Sequence, residues 1–197
     1  MSAEIQKLAP ERPGRAAAED AVRTLLAYIG ENPAREGLVD TPRRVIDAYE
    51  EWFEGYAEDP VAILSRTFEE VEGYDDIVLM KDIRLESHCE HHIAPIIGRA
   101  QVAYLPAGRV VGISKLARLV DAYGKRLQSQ EILTNQIANA IEEALQPRGV
   151  AVLIEAEHQC ITTRGIGKQG VSCVTRAFTG AFKDDPHLED RFFKLVR

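Results

Sequence analysis

The chain has 197 residues, a hydrophobic fraction of 45% and a formal net charge of −7. This length suits one large domain, or one compact domain with a smaller appendage. The negative charge argues against nucleic acid and membrane surfaces as partners, because both attract a basic protein, and no apolar run is long enough to span a bilayer. Residues 1–15 lack the apolar stretch of a signal peptide. Three cysteines, two of them beside histidines, suit metal binding in a reducing compartment, so we expect a cytoplasmic protein.

The N-terminal third is predicted to be helical after an arm at residues 1–14. Apolar residues recur at helical spacing over residues 15–29. A second helix is predicted with Thr41 as its N-cap and a proline at its first position, and residues 60–64 suggest a short further turn. We therefore assign residues 1–66 to an N-terminal arm and helical region.

Residues 67–197 have a different pattern, in which strands surround a pair of helices. The predicted strands cover residues 77–85, 96–105, 150–160 and 171–182, and the predicted amphipathic helices run from Ser114 and from near Ser129 to Leu145. Strands, a helix pair and two closing strands favour an α+β fold over a βαβ nucleotide-binding fold. We expect an antiparallel sheet with the helix pair on one face.

Most of the histidines and cysteines of the chain lie in two short segments. Four of the five histidines and two of the three cysteines fall within residues 87–92 and 157–160. Cys89 and His92 would point to opposite faces of an extended strand, so they can share one ion only from a turn. His158 and Cys160 are two apart on a predicted strand and would share a face. Thiolate and imidazole together favour zinc over magnesium or calcium.

Two geometries of this metal site remain open. If Cys89, His92, His158 and Cys160 all bind, the site is closed and structural. If only three of them bind, a water takes the fourth position and the site is catalytic. His88 and His91 are further candidate ligands, and this surplus favours the catalytic form.

Two basic segments suggest an anion-binding site. The sequence Gly112-Ile113-Ser114 precedes a helix that carries Lys115 and Arg118 on one face. Free helix N–H groups, a hydroxyl and two cations suit a phosphate group, although a capping serine with solvated basic residues is the alternative. The glycine-rich basic stretch 164–168 follows the second metal segment. Together they indicate a small polyanionic substrate such as a nucleotide.

Gln130 and Glu131 open the second predicted helix. An acidic residue there is usually part of helix capping. Alternatively, a buried Glu131 carboxylate accepts hydrogen bonds from a base edge, as the paired N–H donors of guanine require.

Taken together, these residues resemble the GTP cyclohydrolase I family. The matching segments are residues 89–92, 102–106, 112–118, 130–131 and 158–165. The resemblance implies a zinc enzyme that converts GTP and water to 7,8-dihydroneopterin triphosphate and formate, the first step of folate and pterin biosynthesis. It also implies a tunnelling fold over residues 67–197, whose sheets join into an oligomeric barrel. The implied assembly is a homodecamer of two pentamers with active sites at subunit interfaces.

The resemblance also implies a role for individual residues. Zinc would be held by Cys89, His92 and Cys160, which leaves one position for the water that opens the imidazole ring of guanine. His158 would act as general acid, and His91 and Ser114 as proton carriers, with Gln130 holding His91. Glu131 would bind the guanine edge. The implied triphosphate ligands are Lys115, Arg118, Arg164 and Arg44.

Three positions depart from the family pattern, and three other functions compete with it. His88, Ile93 and Leu127 stand where an apolar residue, phenylalanine and proline are expected; we interpret them as packing variants. The alternatives within the fold are a pterin synthase with three histidines on zinc and a nitrile reductase with a reactive cysteine and nicotinamide. A non-enzymatic GTP-binding oligomer with structural zinc is the third.

Overall fold

The computed structural model describes residues 12–68 and 73–197. Its contacts divide the chain into two compact units, Met1–Glu51 and Trp52–Arg197. Most of the predicted arm at residues 1–14 lies outside the described residues. The division falls earlier than the predicted domain boundary after residue 66, which stays a prediction.

The first unit contains two helices joined by charged side chains. Helix α1 spans Arg15–Tyr28 and helix α2 spans Thr41–Trp52, which confirms both predicted helices. Thr41 is already helical and is not the residue before the helix. The Arg15 guanidinium donates hydrogen bonds to the carboxylates of Asp47 and Glu50 on α2. These exposed ion pairs orient the two helices but add at most about 1 kcal/mol each.

Short elements lie between α2 and the main sheet along the chain. A 3₁₀ turn at Glu54–Ala57 is followed by helix α3, Pro60–Leu64. The Asp59 side chain caps α3 by accepting hydrogen bonds from two backbone N–H groups in its first turn. Strand β1, Thr67–Phe68, pairs with β4, Val110–Val111, in a separate two-stranded sheet.

The main sheet has five strands in the order β5-β2-β3-β6-β7. They are β2 (Val78–Cys89), β3 (Pro95–Leu105), β5 (Leu127–Gln128), β6 (Gly149–His158) and β7 (Ser172–Phe178). All pairings are antiparallel except the two-residue pairing of β5 with β2. The predicted α+β class with an antiparallel sheet is confirmed, with one short parallel edge strand that the sequence pattern did not predict.

The predicted helix pair covers one face of this sheet. Helix α4 spans Ile113–Gly124 and helix α5 spans Gln130–Leu145. Apolar side chains of both helices pack in one core with alternate residues of β3 and β6; the fully buried ones include Leu116, Leu119, Leu133, Ile137, Val102, Val152 and Ile154. Each such side chain contributes about 1.5–3 kcal/mol by leaving water, so this layer holds the helices on the sheet.

Three further helices follow β6. They are α6 (Gln159–Thr162), α7 (Gly180–Asp184) and α8 (Pro186–Val196). Phe182 and Phe192 of the last two are fully buried beside Ala103 and Ala151, on the sheet face opposite the helix pair. The prediction of a strand to residue 182 was wrong after Phe178, because Gly180 turns the chain at a φ of +47°. None of the helices described is both long enough and apolar enough to cross a membrane.

Candidate metal centre and active site

Cys89 and His92 lie in the hairpin that joins β2 to β3. The Cys89 N–H donates to the carbonyl of Ala94 at 2.8 Å, and the N–H groups of His92 and Ile93 both donate to the Cys89 carbonyl. Ile93 adopts a φ of +54°, which is rare for a β-branched residue and costs roughly 1–3 kcal/mol. The hairpin therefore folds His92 back over Cys89, so the turn expected between these two residues is present, while their binding of an ion stays a prediction.

Cys160 reaches the same place by a different route from the predicted one. Strand β6 ends at His158, and Cys160 belongs to the helical turn α6. Thr163 closes this turn, because both its N–H and its hydroxyl donate to the Gln159 carbonyl. The expectation that His158 and Cys160 share a strand face was therefore wrong. The helical turn instead gives the two side chains separate surroundings.

Three side chains form a group that fits a metal ion. The ligand atoms of Cys89, His92 and Cys160 all lie within 4.8 Å of one another. A tetrahedral zinc ion spaces thiolate and imidazole ligands by about 3.6–3.8 Å, so small side-chain rotations suffice. Burial, followed by the neighbouring Cys89 thiol, raises the pKa of Cys160. A bound cation would remove this penalty by favouring both thiolates, and the residues present therefore fit a metal ion.

His88 is not part of this group. Its side chain is only 7% exposed and lies between Trp52 and Phe53, with ring centroids 5.2 and 5.0 Å away. Burial lowers its pKa, and its Nδ1 atom has no hydrogen-bond partner among the described residues. His88 therefore packs in an aromatic cluster, which agrees with its interpretation as a packing variant.

His158 also lies outside the group of three and is held by Gln130. Its Nε2 atom is 2.8 Å from the Gln130 Oε1 atom. Burial lowers the pKa of His158, and the charge of Glu131 partly opposes that shift. The expectation that Gln130 holds His91 was wrong, because β6 ends beside the start of α5 and presents His158 to it. His91 is exposed instead, with Nδ1 3.6 Å from Cys89 Sγ.

Two charged residues lie next to these groups. Glu131 is close enough to raise the pKa of His158, but its carboxylate is exposed, so the expected buried carboxylate is not found. Arg164 follows α6 and directs its guanidinium to His92 Nε2 at 3.0 Å. Gly165 and Gly167 after it have φ values of +61° and +59°, which other residues rarely adopt. Through Arg164, the basic loop is therefore tied to the hairpin that carries Cys89 and His92.

The remaining predicted ligands lie elsewhere in the chain. Ser114, Lys115 and Arg118 occupy the first two turns of α4, where Arg118 lines a cavity of about 260 Å³ with acidic and basic neighbours. Arg44 belongs to the first unit and pairs with Asp40 at 3.4 Å. Within residues 12–68 and 73–197, no hydrogen bond or ion pair joins these four residues to the group of three. Their roles stay predictions.

Sequence reasoning missed Thr134 and Thr175. Thr134 lies one turn after Gln130 on α5, Thr175 faces it from β7, and their hydroxyl oxygens are 2.7 Å apart. The Gln130 amide nitrogen is 3.0 Å from the Thr175 hydroxyl. The i, i+4 spacing of Gln130 and Thr134 was visible in the sequence, but the neighbouring strand was needed to give it meaning.

Fold and site together define an α+β protein with a group of two cysteines and one histidine that could hold a metal ion, and with a partly buried histidine two residues before Cys160. Residues 18–197 match the GTP cyclohydrolase I family, so the chain belongs to that family. This confirms the resemblance drawn from the sequence.

Curated relatives match this chain over nearly its whole length. A protein of Hyphomonas neptunium named GTP cyclohydrolase 1 is 61% identical over 93% of this chain and 89% of its own length. GTP cyclohydrolase 1 of Maricaulis maris is 58% identical over 94% of this chain and 90% of its own length. GTP cyclohydrolase 1 of Brucella abortus is 59% identical over 95% of this chain and 88% of its own length. Among solved structures, the apo form of the archaeosine synthase QueF-Like covers 53% of this chain and 93% of its own, with 25% identity and a TM-score of 0.44.

Proposed function

We propose that this chain is a zinc-dependent GTP cyclohydrolase that converts GTP and water to 7,8-dihydroneopterin triphosphate and formate, the first step of folate and pterin biosynthesis. Membership of the family and identities of 58–61% to GTP cyclohydrolases 1 support this activity. One observation carries it furthest: the metal-capable group has three ligands, and His158 lies beside it without joining it. Three protein ligands leave a coordination position for water, as catalytic zinc requires.

The proposed zinc ligands are Cys89, His92 and Cys160. Two thiolates and one imidazole suit zinc better than calcium or magnesium. When bound, zinc supplies Lewis acidity that brings the pKa of a coordinated water to about 7. Cys173 is not a proposed ligand, because it lies on β7 outside the group.

The guanine base is proposed to lie between His158 and Glu131. His158 donates a proton to the imidazole nitrogen of guanine as the ring opens, a role that suits histidine near neutral pH. Burial keeps its pKa below the usual value and thereby makes it a readier proton donor once protonated. The exposed Glu131 carboxylate accepts the paired N–H groups of the guanine edge. Gln130 acts on this step through His158 rather than on GTP directly, since its side chain is 1% exposed.

The remaining residues are proposed to act in the rearrangement of the ribose or to bind the triphosphate. His91 and Ser114 are proposed to carry protons during rearrangement of the ribose, and His91 is exposed enough to reach a ligand. The proposed triphosphate ligands are Lys115, Arg118, Arg164 and Arg44. Arg164 is the best supported of the four because it already contacts His92, at the edge of the metal group.

A homo-oligomer, namely a decamer of two pentamers with active sites at subunit interfaces, completes the proposal. Ile113 and Ile132 are 66% and 47% exposed and directly adjoin Ser114 and Glu131. Exposed apolar residues next to proposed ligands suit a surface that another subunit covers. We place this assembly in the cytoplasm, where its three cysteines stay reduced, with GTP as its substrate and neither nucleic acid nor membrane as a partner.

The test is to incubate zinc-loaded protein with GTP and to measure formate together with the near-ultraviolet absorbance of a dihydropterin. A chelator-treated sample is the control. We expect both products only with metal. Formate alone would indicate a hydrolase that stops after ring opening, and neither product would favour another enzyme of this fold or a GTP-binding protein with structural zinc.

His158→Ala separates the catalytic from the structural interpretation. Because His158 lies outside the group of three, the variant is expected to retain zinc and assembly while losing turnover by roughly 10²–10⁴-fold, the usual contribution of a general acid. Cys160→Ser, in contrast, should lose zinc. Loss of zinc and folding in His158→Ala would refute the catalytic site.

A further inference from the structure

A set of hydrogen bonds behind His158 fixes the orientation of the Gln130 amide. The Gln130 Nε2 atom lies 3.2 Å from the Ile154 carbonyl and 3.0 Å from the Cys173 carbonyl. Carbonyl oxygens can only accept hydrogen bonds, so this end of the amide must be the NH₂ group. The Oε1 atom therefore faces His158.

This orientation decides which nitrogen of His158 carries a hydrogen. The amide oxygen Oε1 has no hydrogen to donate, and it lies 2.8 Å from His158 Nε2. Nε2 must then be the donor. In a neutral imidazole only one nitrogen bears hydrogen, so Nδ1 keeps its lone pair and is the atom outside the network.

Thr134 and Thr175 extend this series of hydrogen bonds, and each of their bonds has a defined donor. The Thr134 hydroxyl is 2.6 Å from the Gln130 backbone carbonyl, which can only accept, so the Thr134 hydrogen points there. In the 2.7 Å contact between the two hydroxyls, Thr175 must therefore be the donor. The Thr175 oxygen is then left to accept from Gln130 Nε2 at 3.0 Å. The two hydrogens of Gln130 Nε2 face three acceptors, the Ile154 and Cys173 carbonyls and the Thr175 oxygen, so one hydrogen is shared, whereas the direction of each bond is the same in every arrangement.

We propose that Thr175 and Thr134 are positioning residues that act through Gln130 to hold His158 in its Nε2–H form. Nδ1 is thereby left as the nitrogen that exchanges a proton with the substrate. The catalytic consequence rests on the proposed cyclohydrolase function, whereas the form of His158 does not. Thr134 is 1% exposed, so neither it nor the equally exposed Gln130 touches the substrate in this arrangement.

The experiment combines nitrogen NMR of zinc-loaded protein containing labelled histidine with steady-state kinetics. The His158 signals are assigned by their loss in His158→Asn. The variants are Thr175→Val, Thr175→Ser and, as matched control, Thr179→Val. Thr179 follows the far end of β7, and its hydroxyl accepts from the Val150 N–H at 3.0 Å and donates to the Glu142 carboxylate at 2.5 Å. Its loss therefore removes one accepted and one donated hydrogen bond, as the loss of the Thr175 hydroxyl does, but away from Gln130.

We expect the Nε2–H form of neutral His158 in the native protein and in Thr175→Ser. Thr175→Val leaves the Ile154 and Cys173 carbonyls as acceptors for the Gln130 NH₂ group, so the Nε2–H form should stay the major one beside a detectable share of the other form. The kcat should fall by about tenfold, with KM changed less than about twofold, because proton transfer depends on the geometry of the donor. Thr179→Val should change neither the spectrum nor kcat by a comparable amount.

Several results would overturn the inference. A native His158 with its hydrogen on Nδ1 would refute the assigned direction. A Thr175→Val protein with a native spectrum and kcat, or one that loses kcat equally with Thr179→Val while its spectrum is unchanged, would show a merely structural role. If the protein failed to turn over GTP but the His158 form responded to Thr175→Val as expected, the positioning chain would stand and the proposed function would fall.

Discussion

The contact between β3 and β6 gives a sharp prediction, because Gly98 leaves no space for a side chain. An added Cβ atom would lie 2.1 Å from the Glu155 carbonyl oxygen and 2.5 Å from both Cα and Cβ of Ala156. Contacts under 3.0 Å are essentially never found for real Cβ atoms, so Gly98→Ala must move the β6 backbone by about 0.9 Å. The obstacle is backbone, which cannot rotate away.

The expected cost follows from this displacement. A shift of that size stretches neighbouring ladder bonds beyond the usual limit of about 3.2 Å, which costs roughly 0.5–1.5 kcal/mol per bond. Overpacking adds about 1–3 kcal/mol. We therefore expect Gly98→Ala to lower the free energy of unfolding by about 3 kcal/mol, and Tm by roughly 6–12 °C for a chain of this size.

The assay is denaturant and thermal unfolding at one protein concentration, with Gly112→Ala as the control. A Cβ atom added at Gly112 would meet no other atom within 4 Å, and the φ of −56° there suits alanine without strain. Equal Tm values for the two variants, within about a degree, would refute the steric argument.

Three further predictions follow from single contacts. His88→Phe removes an unpaired buried nitrogen from an aromatic cluster and should raise the free energy of unfolding by about 1–2 kcal/mol; denaturant unfolding that shows a loss would contradict it. Metal binding should break the Arg164–His92 hydrogen bond, because the metal either takes the Nε2 lone pair or leaves a hydrogen there. Arg164→Gln should then bind zinc at least as tightly in chelator competition, and tenfold weaker binding would refute this. The Ile77 N–H, followed by Arg191, lowers the pKa of Asp76 by hydrogen bonding to its carboxylate. The ionised Asp76 therefore stabilises the fold fully above the unfolded pKa of about 3.9, and this stabilisation is lost as pH falls through the lower folded pKa. Asp76→Asn should flatten this part of the acid unfolding curve, and an unchanged curve would contradict it.

The sequence predicted the helix pair and the long strands because their patterns are set locally. Residues 96–105 and the helix that ends at Leu145 have strong periodicity and clear end signals. The C-terminal helix Pro186–Val196 was not predicted, and the strand expected to residue 182 ended early, before Gly180. The early end of the strand depends on a backbone angle at Gly180, which the strand pattern does not encode. The helix, in contrast, has a local start signal, Asp185 as N-cap followed by Pro186, which the sequence analysis did not use.

The residues of the candidate site could be predicted from the sequence, but the hydrogen bonds between them could not. Clustering of histidine and cysteine, with the family resemblance, identified Cys89, His92 and Cys160, which the structure brings together. The partner of Gln130 was assigned wrongly, since the choice between His91 and His158 depends on where β6 ends beside α5. Contacts between side chains of different elements can be predicted only once the tertiary structure is known. Candidate metal ligands, in contrast, can be recognised from the chemistry of their side chains.

The meeting of the two segments that carry the proposed metal ligands depends on the register of one strand. Strand β3 begins at the end of the hairpin that carries Cys89, and it pairs Ile96 with His158 at the end of β6. A slip of one residue would turn His158 to the other face of the sheet and away from Gln130. Gly98 opposes Ala156 in this register, and only glycine fits so close to that backbone. The residue that lets β3 and β6 approach therefore also fixes the register that delivers Cys160 to Cys89, which is why a stability defect at Gly98 should be accompanied by weaker zinc binding.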